Sequence, residues 1–247
     1  MDTKTKSRKT SLSQVSLARS AYDELKSRIL RLLYPPGENI LEERLRIELK
    51  VSRTPIRMAL SKLEQEGLVL HRPGRGYFIR GIRLDEVRSL FQVREFLEVP
   101  ATKFATENAS DQEMRELQAF VRQMDESVAK RNYDRYLDQA VEFHYRIALM
   151  TKNDILCEMV RGLNEKLSIV SRILLKSESK LVRSHVEHNH IFERMLKRDA
   201  DGAARIARKH VNDSSERQFQ LLQSRAELLT IALPRSSYTN EQKIADV

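Results

Sequence analysis

The chain has 247 residues and a net charge of +9, with 40% hydrophobic and 32% charged residues. With only seven glycines and six prolines, this composition excludes collagen-like and disordered chains and favours a helix-rich protein of two domains. No apolar run is long enough to cross a bilayer, and the basic N-terminus lacks the apolar core of a signal peptide. A single cysteine, Cys157, fits a reducing compartment. We therefore expect a cytoplasmic protein with no membrane partner.

The positive charge is concentrated in the first third of the chain. Residues 1–80 contain 17 lysines and arginines against 9 acidic residues, whereas the remaining residues contain 27 against 26. Clustered cations gain affinity for nucleic acids by releasing counterions from the phosphates. The asymmetry therefore predicts a polyanion-binding module joined to a nearly neutral body. Residues 1–16 are predicted to be a disordered basic tail.

The spacing of apolar residues predicts three helices within residues 17–80. The first covers residues 18–33 and stops at the sequence YPPGE, and the second covers 41–49. The third starts after Ser52 and runs through Ile56 to a stop at Gly67. The sequence LVLHRPGRGYFIR then alternates, turns at its Pro-Gly pair and resumes, as expected of a β-hairpin. Three helices followed by a basic hairpin predict a winged helix-turn-helix.

The third of these helices begins with polar and basic residues. Ser52 is a typical N-cap residue whose hydroxyl can accept from a free backbone N–H. Arg53 and Arg57 lie one turn apart at the front of the helix that enters the major groove in helix-turn-helix proteins. An arginine can bind guanine or a phosphate with two hydrogen bonds, and Ser52 and Thr54 can donate to phosphates. The alternative interpretation is a solvated, charged helix face.

Helical patterning continues after a short linker, which predicts an all-α bundle over residues 84–224 and a partly disordered tail over 225–247. The predicted helices cover residues 84–107, 111–131, 133–151, 154–176, 179–198 and 200–224.

Five polar residues lie on or beside the inward stripes of this bundle, and His185 is nearest the edge of its stripe. His144, His188 and His210 belong to three separate helices. They are either hydrogen-bonded core residues or groups that meet around a metal ion or an anionic ligand. Arg94 also lies on an apolar stripe, where a guanidinium needs an anionic partner. That partner is either Glu98, one turn later, or the carboxylate of a bound effector.

Two stretches, VSRTPIRMALSKLEQEGLV and RPGRGYFIR, resemble the DNA-binding domain of the GntR family of bacterial transcription regulators. The resemblance covers residues 17–80 and implies dimers that bind a short palindrome in double-stranded DNA, with Gly76 letting a wing strand lie close to the minor groove. One departure is Glu43, where many members carry an arginine, because a carboxylate there would repel phosphates. The residues predicted to contact DNA are Ser52, Arg53, Thr54, Arg57, Arg72, Arg75 and Gly76.

The second half resembles the FCD effector domain of the FadR branch of this family, in its shorter, six-helix variety. The matching stretches are VREFLEVPATKFA, FHYRIALMTKND and EHNHIFERMLKRDADGAARIARKHV. The resemblance implies a divalent metal, zinc or nickel, bound by His144, His188 and His210, and an effector carboxylate bound by Arg94. Ala140 replaces the carboxylate or amide ligand that the family places one turn before the first histidine. A metal-free site and a metal completed by water or a ligand both stay open.

The combined expectation is a mainly α protein with an N-terminal winged helix-turn-helix, a small β-hairpin wing and a C-terminal helical bundle. We predict a homodimeric transcription regulator, a repressor released by a small organic acid bound among Arg94 and the three histidines. The alternatives are an activator of the same architecture and an architectural nucleic-acid-binding protein without an effector. Metal-assisted hydrolysis lacks an assignable general base and leaves the DNA-binding head unexplained, so no enzymatic activity is expected.

Overall fold

The computed structural model describes residues 3–81, 83–174 and 178–224. The chain divides into two compact units. The N-terminal unit includes residues 3–26 and 34–81, and the helical unit includes residues 27–33 together with the described residues from 83 onward. No helix in the described part of the chain is both long and apolar enough to cross a membrane.

The N-terminal unit consists of three helices and a small sheet. Its elements are α1 (Thr3–Leu30), β1 (Asn39–Ile40), α2 (Glu42–Leu49), α3 (Arg53–Gln65), β2 (Val69–Arg72) and β3 (Gly76–Ile79). The helix α1 begins at Thr3, which corrects the predicted disordered tail for the residues that the structure describes.

The sheet has three antiparallel strands in the order β1-β3-β2 rather than a hairpin alone. Val69 pairs with Ile79 and Arg72 with Gly76, so β2 and β3 form the predicted hairpin. The two-residue strand β1 joins the other edge of β3, where Asn39 pairs with Phe78. Sequence patterning missed β1 because two residues are too few to show alternation.

The core of the N-terminal unit explains why α3 presents its arginines outward. Ile56, Leu60 and Leu63 are buried at helical spacing, while Arg53 and Arg57 lie on the opposite, exposed face. Burying each large aliphatic side chain contributes roughly 1.5–3 kcal/mol, so this face fixes the rotation of α3 about its axis.

The turn between α2 and α3 depends on a left-handed residue. Lys50 ends α2 with φ 54° and ψ 38°. Only glycine adopts this region without crowding between Cβ and the backbone, which explains why glycine is common in turns of this kind.

We expect Lys50→Gly to raise the free energy of unfolding by about 0.5–1 kcal/mol, because it removes that crowding. Urea denaturation of the full chain tests this, with the exposed helical residue Lys62 replaced by glycine as a control that should destabilise. A Lys50→Gly protein that is less stable than wild type would contradict the prediction.

The helical unit contains six further helices among the described residues: α4 (Leu84–Asn108), α5 (Asp111–Ala129), α6 (Tyr133–Met150), α7 (Asp154–Leu174), α8 (Glu178–Leu196) and α9 (Ala200–Ser224). These bounds agree with the predicted helices to within about two residues at each described end. Residues 175–177 and the predicted tail at 225–247 lie outside the described residues.

The helix ends and the core of this unit follow from local sequence. Ser110 and Glu113 form a reciprocal capping box at the start of α5, and Asn132 caps α6 by accepting from the Arg135 backbone N–H. Phe143 and Met195 belong to one buried cluster to which α4, α5, α6, α8 and α9 all contribute. Because one face of each helix is buried, the polar residues on those faces are brought inside.

Candidate functional site

The first turn of α3 presents the polar residues that the sequence singled out. Ser52, Arg53, Thr54 and Arg57 are all exposed. Ser52 occupies the N-cap position, but its side chain makes no capping hydrogen bond, which corrects its expected capping role. The hydroxyls and guanidinium groups therefore lie on a solvent-facing surface where nucleic acid can approach.

The two arginines of this surface, Arg53 and Arg57, form ion pairs with glutamates of α2. Arg57 Nε donates to Glu42 Oε2 at 2.8 Å, and Arg53 Nη2 donates to Glu43 Oε2 at 3.3 Å. Hydrogen bonds from Arg46 and Arg53 lower the pKa of Glu43. The expectation that Glu43 only repels phosphates thus omitted its pairing with two arginines, which offsets its charge and orients Arg53.

The wing carries the remaining predicted residues. Gly76 has φ 85°, a left-handed conformation that favours glycine. The guanidinium of Arg72 lies 4.9 Å from the ring centre of Phe78, and Arg75 is exposed at the turn. A cation stacked on an aromatic ring keeps a fixed direction, so Arg72 is positioned while Arg75 extends into solvent.

In the helical unit, a buried carboxylate connects Arg94 to the first histidine. Glu98 Oε2 accepts from Arg94 Nε at 2.8 Å and from His144 Nδ1 at 3.0 Å. Burial acts to raise the pKa of Glu98, but the charge of Arg94 and the hydrogen bonds from Arg94 and His144 outweigh it and lower this pKa to about 2. Glu98 is therefore a partner of Arg94, as one of the two interpretations expected. It uses only Nε, so the terminal nitrogens of the guanidinium point away from Glu98 and toward the histidines.

A second carboxylate orients His210. Nδ1 of His210 donates to Glu187 Oε2 at 2.8 Å. Arg217 donates to both oxygens of Glu187 at 2.7 Å. Burial lowers the pKa of His210 to about 4, which keeps the ring neutral at pH 7. With Nδ1 protonated toward a carboxylate, Nε2 of His210 and of His144 presents a lone pair to the interior.

The three predicted histidines meet inside the helical unit. Ligand-capable ring nitrogens of His144, His188 and His210 all lie within 4.8 Å of one another. Nε2 of His188 is 3.0 Å from Nε2 of His144, and its Nδ1 is 3.0 Å from the Tyr136 hydroxyl. Burial lowers the pKa of His188 well below its usual value. Neutral imidazoles backed by carboxylates or a hydroxyl are typical of zinc sites.

Arg94 occupies the position in which a metal ion would bind the histidine lone pairs. Its Nη2 is 2.7 Å from His144 Nε2 and 3.4 Å from His210 Nε2. The three imidazoles suit a divalent metal, but a metal on these nitrogens requires the guanidinium to move away. Nearby carboxylates do not fill the place left by Ala140, because Asp138 pairs with Arg172 and Glu142 pairs with Arg146.

A cavity adjoins this cluster, with an empty volume of about 520 Å³ that includes space open to solvent. Arg94, His144, His188 and His210 all line it. His185 does not, because its Nε2 is 2.8 Å from Asp125 on α5. Sequence reasoning missed Glu187 and Tyr136. The one signal for Glu187 is its position directly before His188.

A winged helix-turn-helix joined to a helical unit with a histidine-lined cavity defines the class of two-domain, DNA-binding regulators. Residues 17–79 match the model of the bacterial regulatory proteins of the gntR family, and residues 89–213 match that of the FCD domain. The chain belongs to the GntR family of transcription regulators and carries an FCD domain. This confirms the predicted family and the predicted mainly α architecture.

Similar proteins agree with this assignment. The Nta operon transcriptional regulator of Aminobacter aminovorans is 31% identical over 76% of this chain and 88% of its own length. The transcriptional repressor RspR of Escherichia coli K12 is 23% identical over 83% and 90%. The solved structure of E. coli McbR/YncC has a TM-score of 0.74 at 19% identity and covers 83% of this chain and 97% of its own. These relatives are transcription regulators, so the chain is a regulator and not an enzyme.

We expect Arg94→Gln to tighten zinc binding by about 1.5–3 kcal/mol, the size of a hydrogen bond to a charged group, because the guanidinium no longer competes for the imidazoles. Ala140→Asp should also tighten it by restoring a fourth ligand. Competition with a chromophoric chelator measures both. Arg88→Gln, on the same helix but 4.7 Å over the Phe219 ring, is the control. Unchanged zinc affinity in the Arg94→Gln protein would contradict the expected competition between the Arg94 guanidinium and zinc for the imidazole nitrogens.

Proposed function

We propose that the chain is a homodimeric, cytoplasmic repressor that binds a short palindromic operator and is released by a small organic acid. The observation that carries this proposal is the cavity in which Arg94 and three neutral histidines converge. An arginine with free donor capacity beside neutral imidazoles suits a carboxylate. A divalent metal held by His144, His188 and His210 would add a Lewis acid that binds the same carboxylate.

The DNA contact is proposed for the exposed face of α3 and for the wing. Arg53 and Arg57 are exposed, one turn apart, and oriented by Glu43 and Glu42. An oriented guanidinium loses less freedom when it binds guanine O6 and N7 than an unconstrained one. Thr54, Ser52 and the wing residues would then fix the register through phosphates.

We expect Arg53→Ala or Arg57→Ala to weaken specific operator binding by roughly 1–3 kcal/mol while leaving binding to random DNA nearly unchanged. An operator is obtained by selecting bound genomic fragments at near-physiological salt, and fluorescence anisotropy then measures both affinities. Arg115→Ala, an exposed arginine of α5, is the charge-matched control. If random and specific DNA weakened equally, the arginines would be phosphate contacts only.

A second copy of the chain is proposed to cover an apolar face of the helical unit. On α4, Phe96 is 75% exposed and Phe104 is 50% exposed, with Val93 on the same face. On the neighbouring α7, Ile155 and Met159 are 69% and 56% exposed. Exposed aromatic residues at helical spacing mark a protein interface, and a two-fold dimer matches a palindrome.

We expect Phe96→Asp to shift the protein from dimer to monomer, because it places a carboxylate in the apolar interface. Sedimentation velocity measures the change, and operator affinity should fall with it. Leu196→Asp on α8, a half-exposed residue elsewhere on the same unit, should leave the dimer intact. A wild-type protein that sediments as a monomer with and without operator would end the dimer proposal.

Release from DNA is proposed to begin at Arg94. A carboxylate in the cavity attracts the guanidinium away from His144 Nε2, so the bound and free proteins differ in the position of this side chain. Linkage requires that the ligand favours the state that binds operator less well, and a coupling of about 1–3 kcal/mol changes operator affinity roughly 5–150-fold.

We expect Arg94→Ala and His188→Ala to bind operator like wild type and to lose this response to the acid. Operator titrations with and without candidate acids measure it, and Arg88→Ala is the control that should keep the response. The direction of the wild-type shift separates a repressor from an activator of the same architecture, since an activator would bind operator more tightly with its acid. Wild-type binding that no acid alters would favour a DNA-binding protein without an effector.

A further inference from the structure

We propose that Glu43 and Arg53 read one G·C base pair as a unit, in which the arginine binds guanine and the glutamate binds the paired cytosine. The proposed operator contact involves only α3 and the wing, so this inference adds a carboxylate of α2 that determines sequence specificity. It rests on the part of the proposed function that places Arg53 in the major groove.

The carboxylate of Glu43 is fixed between two helices. Its Oε1 accepts from Arg46 Nε at 3.0 Å and from Arg46 Nη2 at 2.6 Å. Its Oε2 accepts from Arg53 Nη2 at 3.3 Å. Because the pair with Arg46 lies within α2 and the pair with Arg53 crosses to α3, Glu43 stays beside Arg53 without depending on that contact alone.

The oxygen next to Arg53 has unused bonding capacity. A carboxylate offers about four acceptor positions, and a single long hydrogen bond from the described residues reaches Oε2 of Glu43. The side chain is 50% exposed, so a donor can approach this oxygen from solvent. Nη2 of Arg53 carries two hydrogens, so one can stay on Glu43 while the other donates to a base.

The spacing of these two atoms matches the major-groove edge of a G·C pair. There guanine presents the acceptors O6 and N7, and cytosine presents the donor N4. O6 and N4 are hydrogen-bonded to each other within the pair, so they lie about 2.9–3.0 Å apart. Arg53 Nη2 and Glu43 Oε2 are 3.3 Å apart. The protein's donor and acceptor can therefore face an acceptor and a donor of one base pair at the same time.

Other base pairs fit the two side chains less well. In a T·A pair, thymine offers Arg53 one acceptor instead of two, and adenine N7 repels the carboxylate beside the N6 donor. When either pair is reversed, Arg53 faces a donor and Glu43 faces an acceptor. The carboxylate therefore acts mainly by rejecting the wrong base pairs.

The local charge permits a carboxylate at this position on DNA. Glu43 is accompanied by two guanidinium groups, those of Arg46 and Arg53, so the group as a whole stays positive beside phosphates. In water the exposed pair of Arg53 and Glu43 contributes little stability. Where DNA excludes water, a carboxylate oxygen that faces no donor costs more, so the base opposite Glu43 matters.

The neighbouring Glu42 does not share these features. Its side chain is 26% exposed, and both of its oxygens accept from Arg57 Nε, at 3.1 and 2.8 Å. Glu42 therefore orients Arg57, whereas Glu43 combines greater exposure with a weakly bonded oxygen beside the first residue of α3.

Selection of bound duplexes from a randomised DNA pool tests the inference with the full chain. The position that Arg53→Ala relaxes should be a G·C pair, and Glu43→Gln should lower the G·C to A·T ratio at the same position about tenfold. Glutamine can accept from cytosine or donate to thymine, so it discriminates poorly. A relaxed position that is not G·C, or a Glu43→Gln protein that keeps the wild-type preference there, would overturn the inference.

Glu48→Gln is the matched control for this selection. Glu48 is also on α2, but it accepts from Arg44 and from the Tyr34 hydroxyl rather than from a residue of α3. We expect this variant to select the same DNA sequences as wild type.

A base analogue separates the cytosine contact from the guanine contact. A 2-pyrimidinone nucleotide, which is cytosine without its N4 amino group, is placed opposite that guanine in the selected operator, and fluorescence anisotropy measures the affinity. Wild type should bind about tenfold more weakly, whereas Glu43→Ala should lose almost nothing. Equal losses in the two proteins would come from the altered base pair itself and would overturn the cytosine contact.

A shorter side chain controls for the change in charge. Glu43→Gln should bind random DNA more tightly, because a repelling charge is removed. Glu43→Asp keeps the charge but withdraws it by one methylene group, so it should lose discrimination without this gain. If Glu43 only repels phosphates, Glu43→Gln would strengthen operator and random DNA by the same factor and Glu43→Asp would behave as wild type, which would overturn the inference.

Failure of the inference is distinguishable from failure of the proposed function. If Arg53→Ala relaxes one position while every Glu43 variant leaves it unchanged, the unit of two side chains is overturned and the proposed contact of α3 is kept. If Arg53→Ala keeps the wild-type preference at every position, both are overturned.

Discussion

The arrangement of the candidate effector site depends on two buried carboxylates that orient imidazole rings. Glu98 holds His144 through Nδ1, and Glu187 holds His210 through the equivalent nitrogen. These bonds fix which nitrogen carries the proton, so the lone pairs of both rings point into the cavity. Without the carboxylates, two neutral rings in an apolar core could flip, and no common cation or anion site would persist. A buried carboxylate without its partners would in turn be costly, which ties Glu98 to Arg94.

Helical spacing determined most of what the sequence could predict. Each helix of the helical unit buries one face, so an inward histidine is recognisable from its apolar neighbours three and four residues away. That rule placed His144, His188 and His210 inside, and the structure brings them together. The same spacing explains why Asp138 and Glu142 pair elsewhere, because their offsets of six and two residues turn them away from His144.

The remaining features depend on contacts between distant residues, which periodicity does not encode. The approach of Arg94 to His144 and His210 requires knowing how α4 packs against α6 and α9. Glu187 is not part of the apolar stripe of α8. Its role depends on α9, because His210 and Arg217 of that helix both donate to it. The strand β1 and the left-handed Lys50 escape prediction for a local reason, since two residues carry no pattern and a lysine gives no sign of positive φ.

The same device occurs in both units: an arginine that can bind an anionic ligand is already paired with a carboxylate of its own chain. Arg53 and Arg57 pair with glutamates at an exposed surface, where exchanging one anion for another costs little because water screens both. Arg94 pairs with Glu98 in the interior, where removing the pair would leave a buried charge. A phosphate or a base can therefore bind Arg53 or Arg57 at little cost. A carboxylate bound as proposed would instead have to share Arg94 with Glu98, using the terminal nitrogen that now contacts His144. Its binding and the histidine contacts of Arg94 would for this reason be coupled.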